Sequence, residues 1–140
     1  MTGILALDIE TSNYSHEIGG WGNTHLFEPS VVATWDGENS TIYCQKHAEI
    51  EQEMGDDVVI KNLHPKTLGK DLQKHIEAGG RLLGHNIVKF DLPILRDSLD
   101  CWTASDILSK SPTTIIDTSV ILRSVTGHSV PLSDAVGHTL

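Results

Sequence analysis

Basic residues are scarce in this chain relative to acidic ones. Its 140 residues include 10 Lys and Arg against 19 Asp and Glu, which gives a net charge of −9 at pH 7. Proteins that bind nucleic acid over a broad surface do so largely with Lys and Arg. The charge balance argues against such a protein, but it leaves open an enzyme that meets phosphate groups through divalent cations, because cation sites need acids.

Long hydrophobic runs and a signal sequence are missing as well. No apolar stretch approaches the roughly 20 residues of a membrane span. The N-terminal MTGILALDIE lacks the basic region and the long apolar core of a secretory signal. We therefore expect a non-membrane protein of the cytoplasm.

Cysteine is limited to Cys44 and Cys101, which fits a reducing compartment. Cys44 and His47 have the spacing of half a zinc site, but no second pair at ligand spacing accompanies them. We favour buried or incidental thiols over a zinc site.

The length predicts one domain over residues 1–140, since a chain of this length typically forms one domain. The order of its predicted elements makes it an α/β domain. Residues 4–9 are apolar on both alternating faces, as expected for a central strand that is covered on both sides. Two β-rich runs, residues 31–35 and 41–45, are joined by Asp36-Gly37 and predict an antiparallel hairpin.

Helices and strands alternate after the hairpin. The pattern predicts helices over residues 65–78, 89–98 and 118–125, strands over 81–85 and 114–116, and a further helix from Val130. Gly79-Gly80 ends the first helix, Pro93 falls in the first turn of the second, and Asp117 caps the third. The hairpin must pair antiparallel and the β-α-β crossovers parallel, so we expect a mixed central sheet flanked by helices.

Residues 12–29 are rich in Gly, Asn and Ser and predict a long loop. Loops of this length tend to be functional. Trp21 and Phe27 within it allow two interpretations, stacking on a base as in single-strand binders or ordinary packing of the loop. Ordinary packing is the simpler interpretation.

An acidic pair ends the first predicted strand. In LALDIETS, residues 5–12, Asp8 and Glu10 stand two residues apart, which places both side chains on one face of the strand, about 6.5–7 Å apart along the chain. Carboxylates at that separation can bracket two divalent ions about 3.5–4 Å apart, an arrangement that supports phosphodiester cleavage. The alternative is a solvated strand end.

A second polar cluster lies in GHNIVKFDLPIL, residues 84–95. His85 and Asn86 stand at the end of a strand, and Asp91 stands in the first turn of the next helix. Strand ends and helix starts of an open α/β sheet meet at one edge, where ligands usually bind. We therefore expect Asp91 to approach the first acidic pair. The alternative is a helix-start acid that the helix dipole favours.

The two clusters together resemble a known family. DIET, residues 8–11, resembles the first motif of the DEDD-type 3′–5′ exonucleases, and His-Asn-x-x-x-Phe-Asp, residues 85–91, resembles their second. IIDTSVILRSV, residues 115–125, resembles a stretch of the phage proofreading exonuclease domains that are attached to family A DNA polymerases. The three ordered matches cover nearly the whole chain.

The resemblance implies a fold, a cofactor and partners. The fold would be ribonuclease H-like, and the cofactor a pair of Mg²⁺ or Mn²⁺ ions. The substrate would be the 3′ end of single-stranded nucleic acid, with DNA favoured over RNA, and a polymerase domain in the full-length protein would be a partner. No membrane is implied.

The resemblance also implies roles for individual residues. Asp8 would bridge both ions, Glu10 would hold the ion on the side of the nucleophile, and Asp91 would hold the other ion directly or through water. With three ligands from the protein, we expect weak occupancy without substrate phosphate. The residues that would contact or pack around the terminal nucleotides are Ile9, Thr11, His85, Asn86 and Phe90.

The third motif of the family is missing. The family carries a fourth acid in Tyr-x-x-x-Asp or His-x-x-x-x-Asp on a late helix, but here no Tyr follows the second motif, and Ser133 stands five residues after His128. By resemblance, Asp117 and Asp134 belong to segments that precede this motif, and Asp117 is better explained as a helix cap. We therefore expect a domain that is truncated at its C-terminal end.

Three functions remain open. The leading hypothesis is a metal-dependent proofreading-type 3′–5′ exonuclease domain that acts on DNA, with catalysis weakened by the missing fourth acid. An RNA 3′–5′ exonuclease is the enzymatic alternative, since nothing in the sequence discriminates the sugar. From a different class, the chain would be a non-catalytic nuclease-like module that supports interactions or a polymerase.

Overall fold

A computed structural model describes residues 3–45 and 57–134 of the chain. Within them, six strands form one mixed sheet in the order β4-β3-β2-β1-β5-β6. The strands are β1 (Ile4–Thr11), β2 (Pro29–Trp35), β3 (Ser40–Cys44), β4 (Val58–Asn62), β5 (Arg81–Gly84) and β6 (Ile115–Asp117). The helices are α1 (Pro65–Glu77), α2 (Leu92–Ser98), α3 (Trp102–Ser109) and α4 (Thr118–Thr126). The predicted fold class, a mixed sheet with helices, is confirmed.

The strand directions follow from how the chain connects the strands. β2 pairs antiparallel with both β1 and β3, whereas β5 pairs parallel with both β1 and β6. Parallel neighbours need a crossover, which α1 supplies before β5 and which α2 and α3 supply before β6. The ends of β1, β5 and β6 therefore lie at the same edge of the sheet, and both sequence motifs lie at that edge.

The predicted hairpin is confirmed as β2 and β3. Asp36 Oδ1 accepts hydrogen bonds from the backbone N–H groups of Glu38 at 2.9 Å and Asn39 at 2.7 Å. Gly37 has a φ of 105°, which favours glycine. β3 also pairs parallel with β4, an edge strand that was not predicted from the sequence. Its apolar run has only three β-branched residues, too few for the alternating pattern of a strand.

Helix α1 begins and ends where the sequence signals predict. Pro65 occupies the first turn, and His64 Nδ1 accepts a hydrogen bond from the backbone N–H of Lys66 at 3.1 Å. Gly79, with a φ of 89°, follows the end of the helix.

The segment after β5 differs from the single helix predicted over residues 89–98. Ile87–Asp91 form a π-helical turn, and α2 begins only at Leu92. Pro93 has no N–H for the carbonyl of Lys89, and its ring would clash with that carbonyl in a continuous α-helix. The wider turn removes this conflict. Helix α3 was not predicted, because it buries only Ala104 and Ile107 and so shows no sustained helical period.

The hydrophobic core lies on one face of the sheet. Alternate strand residues and the inner faces of α1, α2 and α3 form it, including Leu7, Ile9, Val32, Leu68, Leu72, Leu82, Leu92, Leu95, Ile107 and Ile115. On the opposite face of β1, Ala6 is half-buried and Asp8 is exposed. The prediction that β1 is covered on both sides is therefore wrong, because the helices that pack on β1 lie over its Leu7 and Ile9 face.

The end of the described chain follows the prediction. β6 leads into α4, and Gly127, with a φ of 81°, ends that helix. Residues 132–134 are helical, and the rest of the helix predicted from Val130 falls on residues outside the described part. Among the described residues, no helix combines the length and the apolar character that a membrane span requires.

Candidate active site

The acidic pair of β1 lies on the exposed face of the strand. Asp8 and Glu10 are both exposed, while Ile9 between them is buried in the core. In the pairing with β2, Asp8 lies opposite Ala33 and Glu10 lies opposite Val31. The alternation of the strand therefore presents both carboxylates to solvent on one face.

Asp91, the acid of the second motif, lies against the middle of the first motif. Its Oδ2 accepts a hydrogen bond from the backbone N–H of Ile9 at 3.2 Å. That N–H belongs to the residue between Asp8 and Glu10. The Asp91 side chain is almost fully buried, at 2% exposed, because it closes the π-helical turn just before the buried start of α2. The fold thus brings acids from two distant motifs to one place.

The charge of Asp91 is poorly compensated. The pKa of Asp91 is raised to about 8, chiefly by burial and also by the negative charges of Asp8 and Asp117, against the lowering effect of the Ile9 N–H. Among the described residues, no Lys, Arg or His forms an ion pair with it. A buried carboxylate close to other acids, with no cation from the protein, is the electrostatic arrangement that favours binding of a divalent cation.

Asp117 organises the second motif from the end of β6. Its Oδ1 accepts hydrogen bonds from the backbone N–H of Asn86 at 2.8 Å and from that of Ser119 at 3.0 Å. Its Oδ2 accepts a hydrogen bond from the backbone N–H of Val88 at 3.1 Å. Burial acts to raise the pKa of Asp117, but a hydrogen bond that Ser119 Oγ donates to Oδ1 at 2.7 Å, together with the three backbone bonds, outweighs burial and lowers the pKa. The predicted helix cap is confirmed, and the same carboxylate also fixes the turn that carries Asp91.

Gly84 lets the second motif approach β1 closely. A Cβ at this position would lie 2.8 Å from the Cβ of Ile87 and 3.1 Å from the carbonyl oxygen of Leu7. The next residue but one, Asn86, has a φ of 60°, in the left-handed region that Asn tolerates better than most residues. The sharp turn between β5 and the π-helical turn depends on both residues.

Both ring nitrogens of His85 have partners within the fold. Nδ1 lies 2.9 Å from Thr118 Oγ1, and Nε2 lies 2.8 Å from the carbonyl oxygen of Val130. Since a carbonyl oxygen only accepts, Nε2 must carry a proton. These partners tie β5 to α4 and to the segment after it.

The other residues that the resemblance assigned to substrate lie in different surroundings. The side chain of Ile9 points into the core, so it is the backbone of Ile9 that belongs to the site. Thr11 Oγ1 donates a hydrogen bond to the carbonyl oxygen of Asn13 at 2.9 Å. Asn86 and Phe90 are half-buried at the same edge as Asp91.

A cavity of about 440 Å³ opens beside Asp8 on the face of the sheet opposite the core. Its lining is mostly apolar and includes Ala6, Trp35, Ile42, Leu83, His85 and Leu132. No pattern in the sequence predicts this cavity, since it follows from the uncovered second face of β1.

The described residues contain no group of three or more His, Cys, Asp or Glu side chains that could hold a metal ion. Asp8, Glu10 and Asp91 share an edge but do not form a ready-made cage. Mg²⁺ is commonly held by one or two carboxylates together with water and substrate phosphate, so these residues fit a cation of that kind. Cys44 and Cys101 are free and buried, and His47 lies outside the described residues.

In the part of the chain that the structure describes, no fourth acid forms a group of potential metal ligands with these three. Both carboxylate oxygens of Asp117 are occupied by backbone N–H groups. Asp134 is exposed near the end of the described residues.

The sequence did not predict the full role of two residues that shape the site, Asp117 and Gly84. The capping signal identified Asp117, but only the fold shows that its carboxylate also holds the His85–Val88 segment. Gly84 stood inside a quoted motif, where a glycine directly after a short buried strand signals a close approach of two backbones.

No protein-family model matches the chain, and no curated protein matches it. The chain is similar to one chain of a solved structure described as "ExoI/SSB-Ct complex", an exonuclease, with a TM-score of 0.46 and 16% sequence identity. The superposition covers 94% of this chain and 32% of that chain, so this chain spans about a third of the length of that protein. A likeness this distant carries no argument about activity, which has to come from the site itself.

Proposed function

We propose that this chain is a metal-dependent 3′–5′ exonuclease domain of the DEDD type that removes nucleotides from the 3′ end of single-stranded DNA. The observation that supports it is the hydrogen bond from the Ile9 N–H to the Asp91 carboxylate at 3.2 Å. This bond joins the acid of the second motif to the strand that carries Asp8 and Glu10. An arrangement of three acids at the end of a central strand fits cation-dependent phosphodiester hydrolysis.

Asp8, Glu10 and Asp91 would hold the cations, with Asp8 shared between them as the resemblance implies. Bound Mg²⁺ or Mn²⁺ supplies a nucleophile at neutral pH and stabilises charge on the phosphate oxygens. The other residues of this chain hold the ligand carboxylates in position. The Ile9 N–H orients the Asp91 carboxylate, and Asp117 holds the turn on which Asp91 stands.

The exposed acids repel phosphate at this edge, and a bound cation would relieve that repulsion. Asp8 and Glu10 are exposed there, and the whole chain has a net charge of −9. Like charges repel a phosphate diester at short range. Binding of substrate and binding of cation are therefore expected to support each other.

A non-catalytic nuclease-like module is the second candidate. It is favoured by the absence, among the described residues, of a preformed group of three metal-binding side chains. In that case the acids would remain from a catalytic ancestor, and the fold would serve an interaction.

Digestion of a 5′-labelled single-stranded DNA with Mn²⁺ or Mg²⁺ separates the two candidates. We expect a ladder of products that shorten one nucleotide at a time, lost on addition of EDTA and in Asp8→Ala. Asp106→Ala is the matched control, because Asp106 is an exposed acid on α3 whose ion pair, within the described ranges, is with Lys110. Failure of the wild type to shorten DNA at high protein and Mn²⁺ concentration would contradict the exonuclease. The same digestion carried out on an RNA strand decides whether the enzyme acts on DNA or on RNA.

A further inference from the structure

Trp21 is solvent-exposed although other aromatic rings support it from one side. Its ring centroid lies 5.3 Å from that of Phe90 and 6.0 Å from that of Phe27. Phe27, only 3% exposed, packs edge-on against Phe90 at 5.3 Å. Trp21 itself remains 66% exposed. Phe27 therefore packs the fold, whereas most of the Trp21 ring faces solvent.

The segment that carries Trp21 is fastened to the rest of the protein. Thr24 Oγ1 donates a hydrogen bond to Asp97 Oδ2, and Ser98 Oγ donates one to the carbonyl oxygen of Thr24, both at 2.5 Å. At its outer ends, the backbone N–H of Ser12 donates to the carbonyl oxygen of Glu28 at 2.9 Å. These bonds pin the segment to α2 and close its base, so the exposed indole is held in place.

The cluster lies beside the acidic edge. Phe90 directly precedes Asp91, whose carboxylate accepts the hydrogen bond from the Ile9 N–H. The Trp21 ring packs against Phe90, which directly precedes the buried Asp91. The exposed ring therefore belongs to a cluster that adjoins the buried acid of the candidate site.

We propose that Trp21 is the platform on which an unpaired base at the 3′ end of a nucleic acid strand stacks. This inference rests on the proposed function and names the residue that would bind the terminal base of its single-stranded substrate, because a base must leave its duplex to offer a ring face. Aromatic stacking tolerates every base and contributes substantially to single-strand binding. With few Lys and Arg to bind phosphate, stacking has to carry a larger share of the affinity here.

Fluorescence anisotropy of a 5′-fluorescein single-stranded DNA, measured in EDTA so that no cleavage occurs, tests the platform. We expect Trp21→Ala to weaken binding on the order of 10-fold to 100-fold, and Trp21→Phe to keep most of the affinity. On a strand whose 3′-terminal nucleotide lacks its base, wild type and Trp21→Ala should bind equally. Trp102→Ala is the matched control, since Trp102 is 85% exposed on α3 and lies outside the cluster.

A second measurement covers the case in which Trp21→Ala does not fold. In the variant with Trp35→Phe and Trp102→Phe, Trp21 is the only indole, and its fluorescence should be quenched by the ordinary strand but not by the abasic one. Equal quenching by both strands, or equal losses in Trp21→Ala and Trp102→Ala, would overturn the platform.

The platform and the exonuclease fail in different ways. If the wild type shortens DNA with Mn²⁺ but Trp21→Ala binds the strand as tightly as the wild type, the platform alone is wrong. If the wild type neither binds nor shortens any strand, the exonuclease is wrong and the platform falls with it.

Discussion

The carboxylate of Asp91 and the backbone N–H of Ile9 are joined by a hydrogen bond of 3.2 Å across 82 residues of sequence. The partner of Asp91 is main chain, so its position depends on the course of β1 and not on a neighbouring side chain. Any movement of Asp91 away from Asp8 and Glu10 would break this bond and leave a buried N–H without a partner. The relative placement of the two motifs is thereby built into the fold.

Asp91→Asn separates the role of Asp91 in function from its role in folding. An amide oxygen can accept the same hydrogen bond, and the amide has no charged form, whereas burial makes the ionised form of Asp91 unfavourable in the fold, as its raised pKa shows. We expect the free energy of unfolding in EDTA to be unchanged or higher, and strand shortening with Mn²⁺ to fall about 10²–10³-fold. Urea denaturation and the digestion assay measure the two effects. Asp106→Asn should change neither, and a large loss of stability in Asp91→Asn would contradict the assignment.

Asp117→Ala is expected to destabilise the protein strongly. The substitution leaves the N–H groups of Asn86, Val88 and Ser119 without their acceptor. Loss of a cap and of buried hydrogen bonds should lower the free energy of unfolding by about 2–4 kcal/mol, measured by urea denaturation. The exposed Asp134 offers the control, since Asp134→Ala should cost less than about 0.5 kcal/mol. Equal effects of the two substitutions would rule out an organising role for Asp117.

Gly84→Ala tests the close approach of the second motif to β1. The added methyl group would meet the Cβ of Ile87 at 2.8 Å, so the π-helical turn has to shift. We expect a loss of stability of about 1–3 kcal/mol and weaker strand shortening, because Asp91 moves with the turn. Gly22→Ala is the matched control and should keep its stability, since a Cβ there meets nothing within 4 Å. Wild-type stability in Gly84→Ala would refute this reading of the contact.

The surroundings of Asp71, away from the candidate site, make the stability of the fold depend on pH. Its Oδ2 accepts hydrogen bonds from the ammonium group of Lys61 and the hydroxyl of Tyr43, both at 2.7 Å. Burial raises the pKa of Asp71, but these bonds outweigh it, so the pKa lies below its usual value. A lowered pKa means that the ionised carboxylate stabilises the fold above its unfolded pKa of about 4, and that this contribution is lost as the pH falls through the folded pKa.

Asp71→Asn should therefore lower the free energy of unfolding by about 1 kcal/mol at pH 7. The difference from the wild type should shrink below about pH 4, where the wild-type carboxylate takes up its proton. Urea denaturation from pH 3 to pH 7 measures it. A difference that stays constant over this range would show that the effect is packing and not charge.

The sequence predicted those elements whose signals are local. The Asp36-Gly37 turn, the Pro65 start of α1 and the Asp117 cap of α4 each depend on neighbouring residues, and all three are confirmed. β4 and α3 were missed because short elements with few buried residues show little periodicity. The helix predicted over residues 89–98 was wrong at its start, since the conflict between Pro93 and a continuous helix is relieved by a π-helical turn.

For the site, the sequence could name acids but not their surroundings. Alternation along β1 predicted that Asp8 and Glu10 face the same side, and the edge rule for open sheets predicted the approach of Asp91. The burial of Asp91 and its bond to the Ile9 N–H depend on how β5 and α2 pack against β1, which no local pattern encodes. The exposure of Trp21 above two packed rings is likewise a tertiary property.

The central claim is that Asp8, Glu10 and Asp91 serve one cation site, and NMR of the ¹⁵N-labelled chain titrated with Mn²⁺ tests it most directly. Mn²⁺ broadens the amide signals of nearby residues. We predict that residues 7–11 and 88–92 broaden together, over the same range of Mn²⁺ concentration, and that Asp8→Ala removes both effects. Broadening of residues 7–11 while residues 88–92 stay sharp would contradict the claim.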